Sequence, residues 1–282
     1  MAKRSIVAKA NTISSSSQDL PARQLQSRLA GRTITDLTQH PLGHLYRDVL
    51  QDGETIVRLE YFLEHDPANA SMWNCYARRV QEIQNGEFNQ WSTYVADSLT
   101  YMEMTARMFG KKLNPPPKFD QRHWFGYSTD QLEQMCCMGL ASLPINVVLL
   151  CHTGEDKDEL HGTFVRSLHA PGRLGKFRGL GAGYAEVYRA YVGADENGNK
   201  VHQLQTHTDN LWAAETQIDA PDPCYPTYED IWINWGDRDR DFIHAICYGD
   251  IGSGKSTFAR TFPTPMLVHM FDPFGKDRPY LK

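Results

Sequence analysis

The segment that most constrains the fold is GDIGSGKS at residues 249–256, because it fits the pattern G-x-x-x-x-G-K-[ST] of a phosphate-binding loop. The apolar stretch DFIHAICYG (241–249) precedes it and predicts a strand, and STFARTF (256–262) predicts a helix after it. Glycines leave the backbone N–H groups of such a loop open to a phosphate, and the helix N-terminus strengthens the attraction. The strand–loop–helix context therefore predicts a nucleotide-binding site.

Two side chains of the loop have expected roles in that site. Lys255 should reach the β- and γ-phosphates, and the hydroxyl of Ser256 should bind Mg²⁺. ATP and Mg²⁺ are the expected cofactors, although no base-reading motif distinguishes ATP from GTP. The residues expected to contact the nucleotide are Gly249, Asp250, Ile251, Gly252, Ser253, Gly254, Lys255, Ser256 and Thr257.

The loop lies late in the chain, so most partners of a P-loop site must precede it. Three apolar segments lead into polar side chains: STYVAD ends at Asp97, VVLLC precedes His152, and MLVHMF precedes Asp272. In an open parallel sheet these groups gather at the carboxyl ends of the strands, where ligands bind. We expect Asp97 to lie within about 6 Å of Ser256 and to share one Mg²⁺ with it, and His152 to sense the γ-phosphate. Ordinary capping or hydrogen bonding at a strand end is the structural alternative for Asp97 and His152.

Strands alternate with helices along the rest of the chain. The sequence predicts strands at 54–62 and 145–156, helices at 65–86 and 128–143, a loop at 114–130, and a hairpin in which AEVYRAYVG and VHQLQTHT flank the turn DENGNK. This order predicts an α/β fold with a mostly parallel sheet, helices on both faces and a small antiparallel hairpin.

Composition narrows the class of protein. The formal net charge is −5, which argues against a uniformly basic surface, and no apolar run reaches the length of a membrane span. Six cysteines lack C-x-x-C spacing, so we expect neither zinc nor a disulfide framework, and reduced thiols indicate a cytoplasmic protein. We expect residues 1–31 to form a flexible tail, with a targeting segment as the alternative. We expect residues 32–282 to form one domain.

Four segments carry a resemblance to a known family. DFIHAICYGDIGSGKSTFARTFPTPMLVHMFDP resembles the opening of the RecA-like ATPase domains common in bacteriophages, and WSTYVADSLTYME resembles their Walker B strand. LASLPINVVLLCHTGEDKDE is similar to their sensor strand, and APGRLGKFRGLGAGYAEVYRAYV to their later region. The resemblance implies a RecA-like ATP hydrolase that acts in DNA recombination, annealing or replication, in the host cytoplasm if the chain is phage-encoded.

The order of these segments departs from that family. In RecA-like domains the P-loop comes first, whereas here Asp97 precedes Lys255. Joining the C-terminus to the N-terminal region restores the family order, which indicates a circular permutation whose old termini meet within 220–240. A natural permutation, an engineered one, and a reading frame assembled across the cut point of a circular genome all fit.

The resemblance also nominates a catalytic base. No Glu follows Asp97, so the Asp-Glu pair of many AAA-type motors is absent. RecA-like enzymes place the water-polarising acid after the strand that follows the P-loop helix, a position that corresponds to Asp272. The alternatives are that Asp272 opens the turn DPFG, or that Glu103 is the base.

The segment APGRLGKFRGLGAGY has two functional interpretations. Arg173, Lys176 and Arg178 would track the phosphates of single-stranded DNA while Phe177 stacks on a base, or one cation would reach the nucleotide of a neighbouring subunit. The structural alternative is a solvated loop. Single-stranded DNA and self-association are therefore the expected partners.

Two further segments bear on function. Arg122, His123 and Trp124 form a second candidate DNA patch, whereas Glu215 and Gln217 stand where relatives are expected to carry basic residues. A nucleotide-bound structural or interaction module with little hydrolysis is the alternative function.

Overall fold

The apolar segments of the sequence form the strands of one large sheet. The structure is a computed structural model that describes residues 31–64, 66–114, 121–157, 164–169, 180, 184, 186–233, 241–273 and 278–281. Within these residues ten strands form the sheet in the order β1-β3-β4-β12-β5-β6-β11-β9-β10, with β2 paired to β3.

The bounds of the strands are close to those expected from the sequence where the runs are apolar. The sheet contains β1 (Arg32–Ile34), β2 (Thr38–Gln39), β3 (Leu45–Gln51), β4 (Glu54–Tyr61), β5 (Thr93–Asp97), β6 (Asn146–Cys151), β9 (Glu186–Ala194), β10 (Lys200–Gln205), β11 (His244–Tyr248) and β12 (Met266–Met270). A separate antiparallel pair consists of β7 (Thr153–Lys157) and β8 (Phe164–Leu168).

Six neighbouring strands, from β4 to β9 in the sheet order, run parallel. Strands β3 and β10 add antiparallel edges to this central block. The mostly parallel α/β sheet and the β9–β10 hairpin are therefore confirmed. The antiparallel strands β1, β2 and β3 were not expected from the sequence, because their polar residues lack the apolar runs of the central strands.

Helices cover both faces of the sheet. They are α1 (Met72–Gln84), α2 (Leu99–Leu113), α3 (Gln121–Glu133), α4 (Tyr228–Ile233), α5 (Lys255–Ala259) and α6 (Arg278–Leu281). Trp73 of α1 and Met102 of α2 pack into one buried cluster, whereas Phe258 of α5 and Tyr280 of α6 pack into the cluster on the other face. Because both faces are covered, β6, β11 and β12 are buried at every residue, as parallel strands usually are.

Two predictions about local structure are wrong. Residues 114–130 were expected to be a loop, but α3 begins at Gln121. Trp124 anchors this helix by donating a hydrogen bond from Nε1 to the carbonyl of Asn114 at 2.9 Å. The predicted strand 145–156 is also interrupted at His152, because the residues after it leave the main sheet and pair with β8 instead.

Several expectations concern residues outside the described ones. Residues 1–30 and the four candidate DNA-contacting residues Arg173, Lys176, Phe177 and Arg178 lie there. The expected connection at 220–240 is described as far as residue 233 and contains α4.

Candidate functional site

The glycine-rich loop between β11 and α5 has a backbone that requires glycine at specific places. Gly252 and Gly254 have φ angles of 83° and 97°, in the left-handed region that favours glycine. A Cβ atom on Gly249 would lie 2.3 Å from the carbonyl oxygen of Ala190 on β9. The loop can therefore approach β9 and turn into the helix only with these glycines in place.

Lys255 brings a positive charge into this loop. Its Nζ donates hydrogen bonds to the carbonyl oxygens of Gly249 at 2.7 Å and Asp250 at 2.9 Å. The side chain is buried, and burial lowers the pKa of Lys255 from its usual value. The ammonium group is thus held at the loop, where the backbone carbonyls and the nearby Asp97 carboxylate favour its charge.

Ser256 joins this loop to the end of β5. Its Oγ donates a hydrogen bond to Oδ2 of Asp97 at 2.8 Å, although the two residues are 159 positions apart in the chain. The hydroxyl of Tyr280 donates to the same carboxylate oxygen at 3.0 Å. The sequence-based expectation that Asp97 and Ser256 lie close together is therefore met.

The environment of Asp97 favours its neutral form. Burial raises the pKa of this carboxyl group above its usual value, while the hydrogen bonds from Ser256 and Tyr280 oppose the shift only in part. A cation beside the carboxylate would favour the charged form and would lower the pKa again. A cation bound beside Asp97 would therefore stabilise the charged form of this carboxyl group.

The loop, Asp97, His152 and Asp272 are among the residues that line one cleft of about 530 Å³. His152 lines it at the end of β6, and its ring meets the ring of Tyr101 edge-on with 5.8 Å between centroids. Burial and the nearby Lys255 charge lower the pKa of His152. Asp272, just after β12, lines the same cleft.

The other described residues singled out in the sequence do not line this cleft. Glu103 accepts a hydrogen bond from Ser128 Oγ at 2.9 Å and lies 3.5 Å from Arg107, so it ties α2 to α3 and is not a cleft residue. Arg122 and His123 are exposed on α3, while Trp124 is buried. Glu215 bonds through its backbone to Val187, and the backbone N–H of Gln217 donates to Glu186 Oε1 at 3.1 Å.

Sequence reasoning missed two residues of the site. Tyr280 lies on the short helix α6 and contacts Asp97, and no motif marks it. His202 lies on β10 and its Nδ1–H donates to the carbonyl of Ser253 at 2.9 Å, which brings the hairpin against the loop. The hairpin itself was predicted, but its position against the glycine-rich loop depends on tertiary packing.

Comparison of the chain with protein-family models, with curated proteins and with solved structures finds no match. In the part of the chain that the structure describes, no helix is long and apolar enough to cross a bilayer. The six cysteines are all described, and none forms a disulfide.

No cluster of three or more His, Cys, Asp or Glu side chains that could hold a metal occurs among the described residues. This finding does not conflict with a magnesium site of the P-loop type. Mg²⁺ bound with phosphates needs only one or two protein oxygens, since phosphate and water supply the rest. The Ser256 hydroxyl and the Asp97 carboxylate provide such a pair.

Proposed function

We propose that this protein binds a nucleoside triphosphate with Mg²⁺ and hydrolyses it, with ATP as the substrate. The observation that carries the proposal is the 2.8 Å contact between Ser256 Oγ and Asp97 Oδ2. It joins the residue that follows the P-loop lysine to the acid at the end of β5, a parallel strand that β6 separates from β11. A phosphate-binding loop beside a carboxylate is the arrangement that Mg-dependent phosphoryl transfer uses.

The residues of the cleft fit this cofactor pair. The loop 249–254 would place backbone N–H groups around the phosphates, and Lys255 would leave the loop carbonyls to contact the β- and γ-oxygens. Ser256 would bind Mg²⁺ directly, while Asp97 would hold it directly or through its water shell. The metal supplies neutralisation of the charge that develops on the phosphate oxygens.

Asp272 and His152, two other polar residues of the cleft, would have different roles in hydrolysis. Asp272 is the acid that would orient the attacking water and accept its proton. The low pKa of His152 keeps its imidazole neutral near pH 7, so one ring N–H can donate a hydrogen bond to the terminal phosphate without a full charge. Both residues follow strands of the same parallel block, on the Asp97 side of the loop.

The position of the P-loop strand supports the permuted RecA-like interpretation. Strand β11 enters the sheet between β6 and β9, so a strand late in the chain lies in the middle of strands that precede it. Asp97 and His152 then reach the loop from earlier segments, as the permuted order requires. With the family resemblance, this supports a role in DNA recombination, annealing or replication, with single-stranded DNA as the partner.

One observation favours the second candidate, a nucleotide-bound module that hydrolyses little. Among the described residues that line the cleft, the carboxylates are Asp97 and Asp272, and neither is a glutamate. The shorter side chain of Asp272 reaches less far toward an attacking water. The module would still bind Mg·ATP and would use it to fix the fold.

The test is ATP turnover in the presence of Mg²⁺, measured with and without single-stranded DNA. Wild type should turn over ATP, DNA should accelerate it, and Lys255→Ala should reduce it by roughly 10³-fold because the main cation of the loop is lost. Arg78→Ala, which removes an exposed cationic side chain on α1, is the matched control and should leave turnover unchanged.

Turnover equal in wild type and Lys255→Ala would contradict the enzyme proposal. If Lys255-dependent binding of Mg·ATP persisted without turnover, the nucleotide-bound module would take its place. Turnover that DNA does not alter would remove the DNA partner while leaving the hydrolase intact.

A further inference from the structure

One end of the proposed nucleotide site contains none of the residues that would contact the phosphates or the metal ion. We infer that this end, formed around His202 of β10, receives the nucleoside, and that the His202 ring stacks on the base. The inference rests on the proposed function and adds the part of the site that recognises the non-phosphate half of the substrate.

The order of strands fixes the direction of the ligand along the cleft. Asp272, Asp97 and His152 follow β12, β5 and β6, which lie in that order on one side of the P-loop strand β11. Strands β9 and β10 lie on its other side. Because the metal and the catalytic groups must surround the terminal phosphate, the nucleoside leaves the loop toward β9 and β10.

His202 lies at this side of the loop. Strand β9 continues past the last residue of β11, which pairs with Arg189, and Val192 of β9 pairs with His202 of β10. The hairpin therefore projects beyond the carboxyl end of β11, to the level of the loop. His202 lines the same cleft as Asp97 and Ser256.

The ring of His202 is held in place before any ligand binds. Its Nδ1–H donates to the Ser253 carbonyl at 2.9 Å, and a Cβ on Gly254 would lie 2.8 Å from that nitrogen. The residue is nevertheless exposed, and the described part of the chain offers its Nε2 no hydrogen-bond partner. An oriented, exposed imidazole loses little conformational freedom when a base stacks on it.

Apolar side chains beside this ring are also exposed. Val192, the cross-strand partner of His202, is 45% exposed, and Ile251 at the tip of the loop is 90% exposed. Paired residues of neighbouring strands share one face of the sheet, so Val192 and His202 present a joint surface. A purine base is flat and largely apolar on its faces, and it would cover this surface while its phosphates occupy the loop.

The experiment compares two ligands that share the phosphates and differ in the nucleoside. Titration calorimetry with Mg²⁺ measures binding of ATP and of inorganic tripolyphosphate to wild type, His202→Ala, His202→Phe and the control His207→Ala, an exposed histidine that follows β10. His202→Ala should weaken ATP binding by roughly 10-fold, the worth of one stacked base, and should leave tripolyphosphate binding unchanged.

His202→Phe should recover most of the ATP affinity because it keeps an aromatic ring, and His207→Ala should match wild type. Unchanged tripolyphosphate binding also shows that the loop is folded in each variant. Equal loss of both ligands in His202→Ala would show that His202 only supports the loop, and loss of neither would show that it does not meet the base. Either result overturns the inference. If wild type binds neither ATP nor tripolyphosphate, the proposed function itself is overturned.

Discussion

Two buried carboxylates on either side of β12 have opposite surroundings. Glu60 of β4 pairs in register with His269 of β12, and Asp97 of β5 pairs with its neighbour Met270. Glu60 is 0% exposed and lies 2.9 Å from Arg79 Nε, 3.1 Å from His44 Nε2 and 3.2 Å from His269 Nε2. Among the described residues, the side chain of Asp97 accepts hydrogen bonds from two neutral hydroxyl groups, those of Ser256 and Tyr280, while the Lys255 charge lies nearby.

The pKa values of the two groups shift in opposite directions. Burial acts to raise the pKa of Glu60, but hydrogen bonds from His269, His44 and Arg79 outweigh it and hold that pKa well below its usual value. At Asp97 burial prevails and the pKa is raised. A buried charge whose partners are all present becomes costly to the fold when one partner is removed, whereas a carboxyl group whose pKa burial raises is suited to bind a cation.

A chain of buried groups extends from the Glu60 cluster. Burial lowers the pKa of His269 to about 4, so this histidine is neutral near pH 7. Its Nδ1 then accepts a hydrogen bond from the Tyr94 hydroxyl at 3.0 Å, and Tyr94 lies 3.1 Å from the Tyr76 hydroxyl. These contacts connect β4, β12 and β5 to α1, away from the cleft at the glycine-rich loop.

The largest effect on folding should come from Glu60→Gln. Removing this charge leaves Arg79 buried without its main partner, and we expect a loss of about 3–5 kcal/mol in the free energy of unfolding. Urea denaturation measures it. A loss below about 1 kcal/mol would show that the Glu60 cluster does not support the fold as its contacts indicate.

Asp97→Asn should separate binding from folding. The amide cannot attract Mg²⁺ as a carboxylate does, so we expect Mg-dependent ATP affinity to fall by roughly 100-fold. The free energy of unfolding should hold or rise slightly, because the desolvated charge is gone. Calorimetry and urea denaturation on the same preparation check both, and a stability loss as large as that of Glu60→Gln would erase the contrast between the two carboxylates.

Tyr280→Phe should have a smaller effect. It removes one of the two hydrogen bonds to Asp97 while keeping the buried ring, so we expect a loss of about 1 kcal/mol in unfolding free energy. ATP affinity should change only a few-fold, since Ser256 and Asp97 remain. A loss of Mg-dependent binding equal to that of Asp97→Asn would make Tyr280 an essential part of the site.

The smallest effect concerns pH. The folded-state pKa of Asp97 is raised, so the native state binds a proton more readily than the unfolded state, and wild type gains stability relative to Asp97→Asn as pH falls through that pKa. For Glu60 the folded-state pKa is lowered, so its contribution is present above the usual value near 4.5 and is lost as pH falls through the lower one. The difference in unfolding free energy between wild type and each variant, measured from pH 7 downward, should show these opposite trends.

The parts of the fold that could be predicted depend on local pattern. The P-loop, the apolar strands and the β9–β10 hairpin have signals within short segments, and so does the acid that ends β5. Helix α3 was missed at its start because prolines at 115–117 precede it, while its stability comes from contacts such as Trp124 to Asn114. The local sequence propensity gives no information about such tertiary contacts.

The clusters that could not be predicted bring together residues that are far apart in the chain. Glu60, Arg79 and His269 come from three separate elements, and each alone resembles an ordinary surface residue in the sequence. Tyr280 contacts Asp97, and His202 lines the cleft, only because α6 and β10 pack against the loop region. Such convergence depends on strand order, which short sequence segments do not reveal.

The central claim is that Ser256 and Asp97, 159 positions apart, hold one Mg²⁺ together. A double-mutant cycle with Ser256→Ala and Asp97→Asn, measured as Mg-dependent ATP affinity, tests it most directly. If they share the ion, the double variant should lose little more than the worse single variant, a coupling of about 1–3 kcal/mol, while Ser256→Ala with the exposed hairpin-turn control Asp195→Asn should be additive. Additive losses for Ser256 and Asp97 would contradict a shared site.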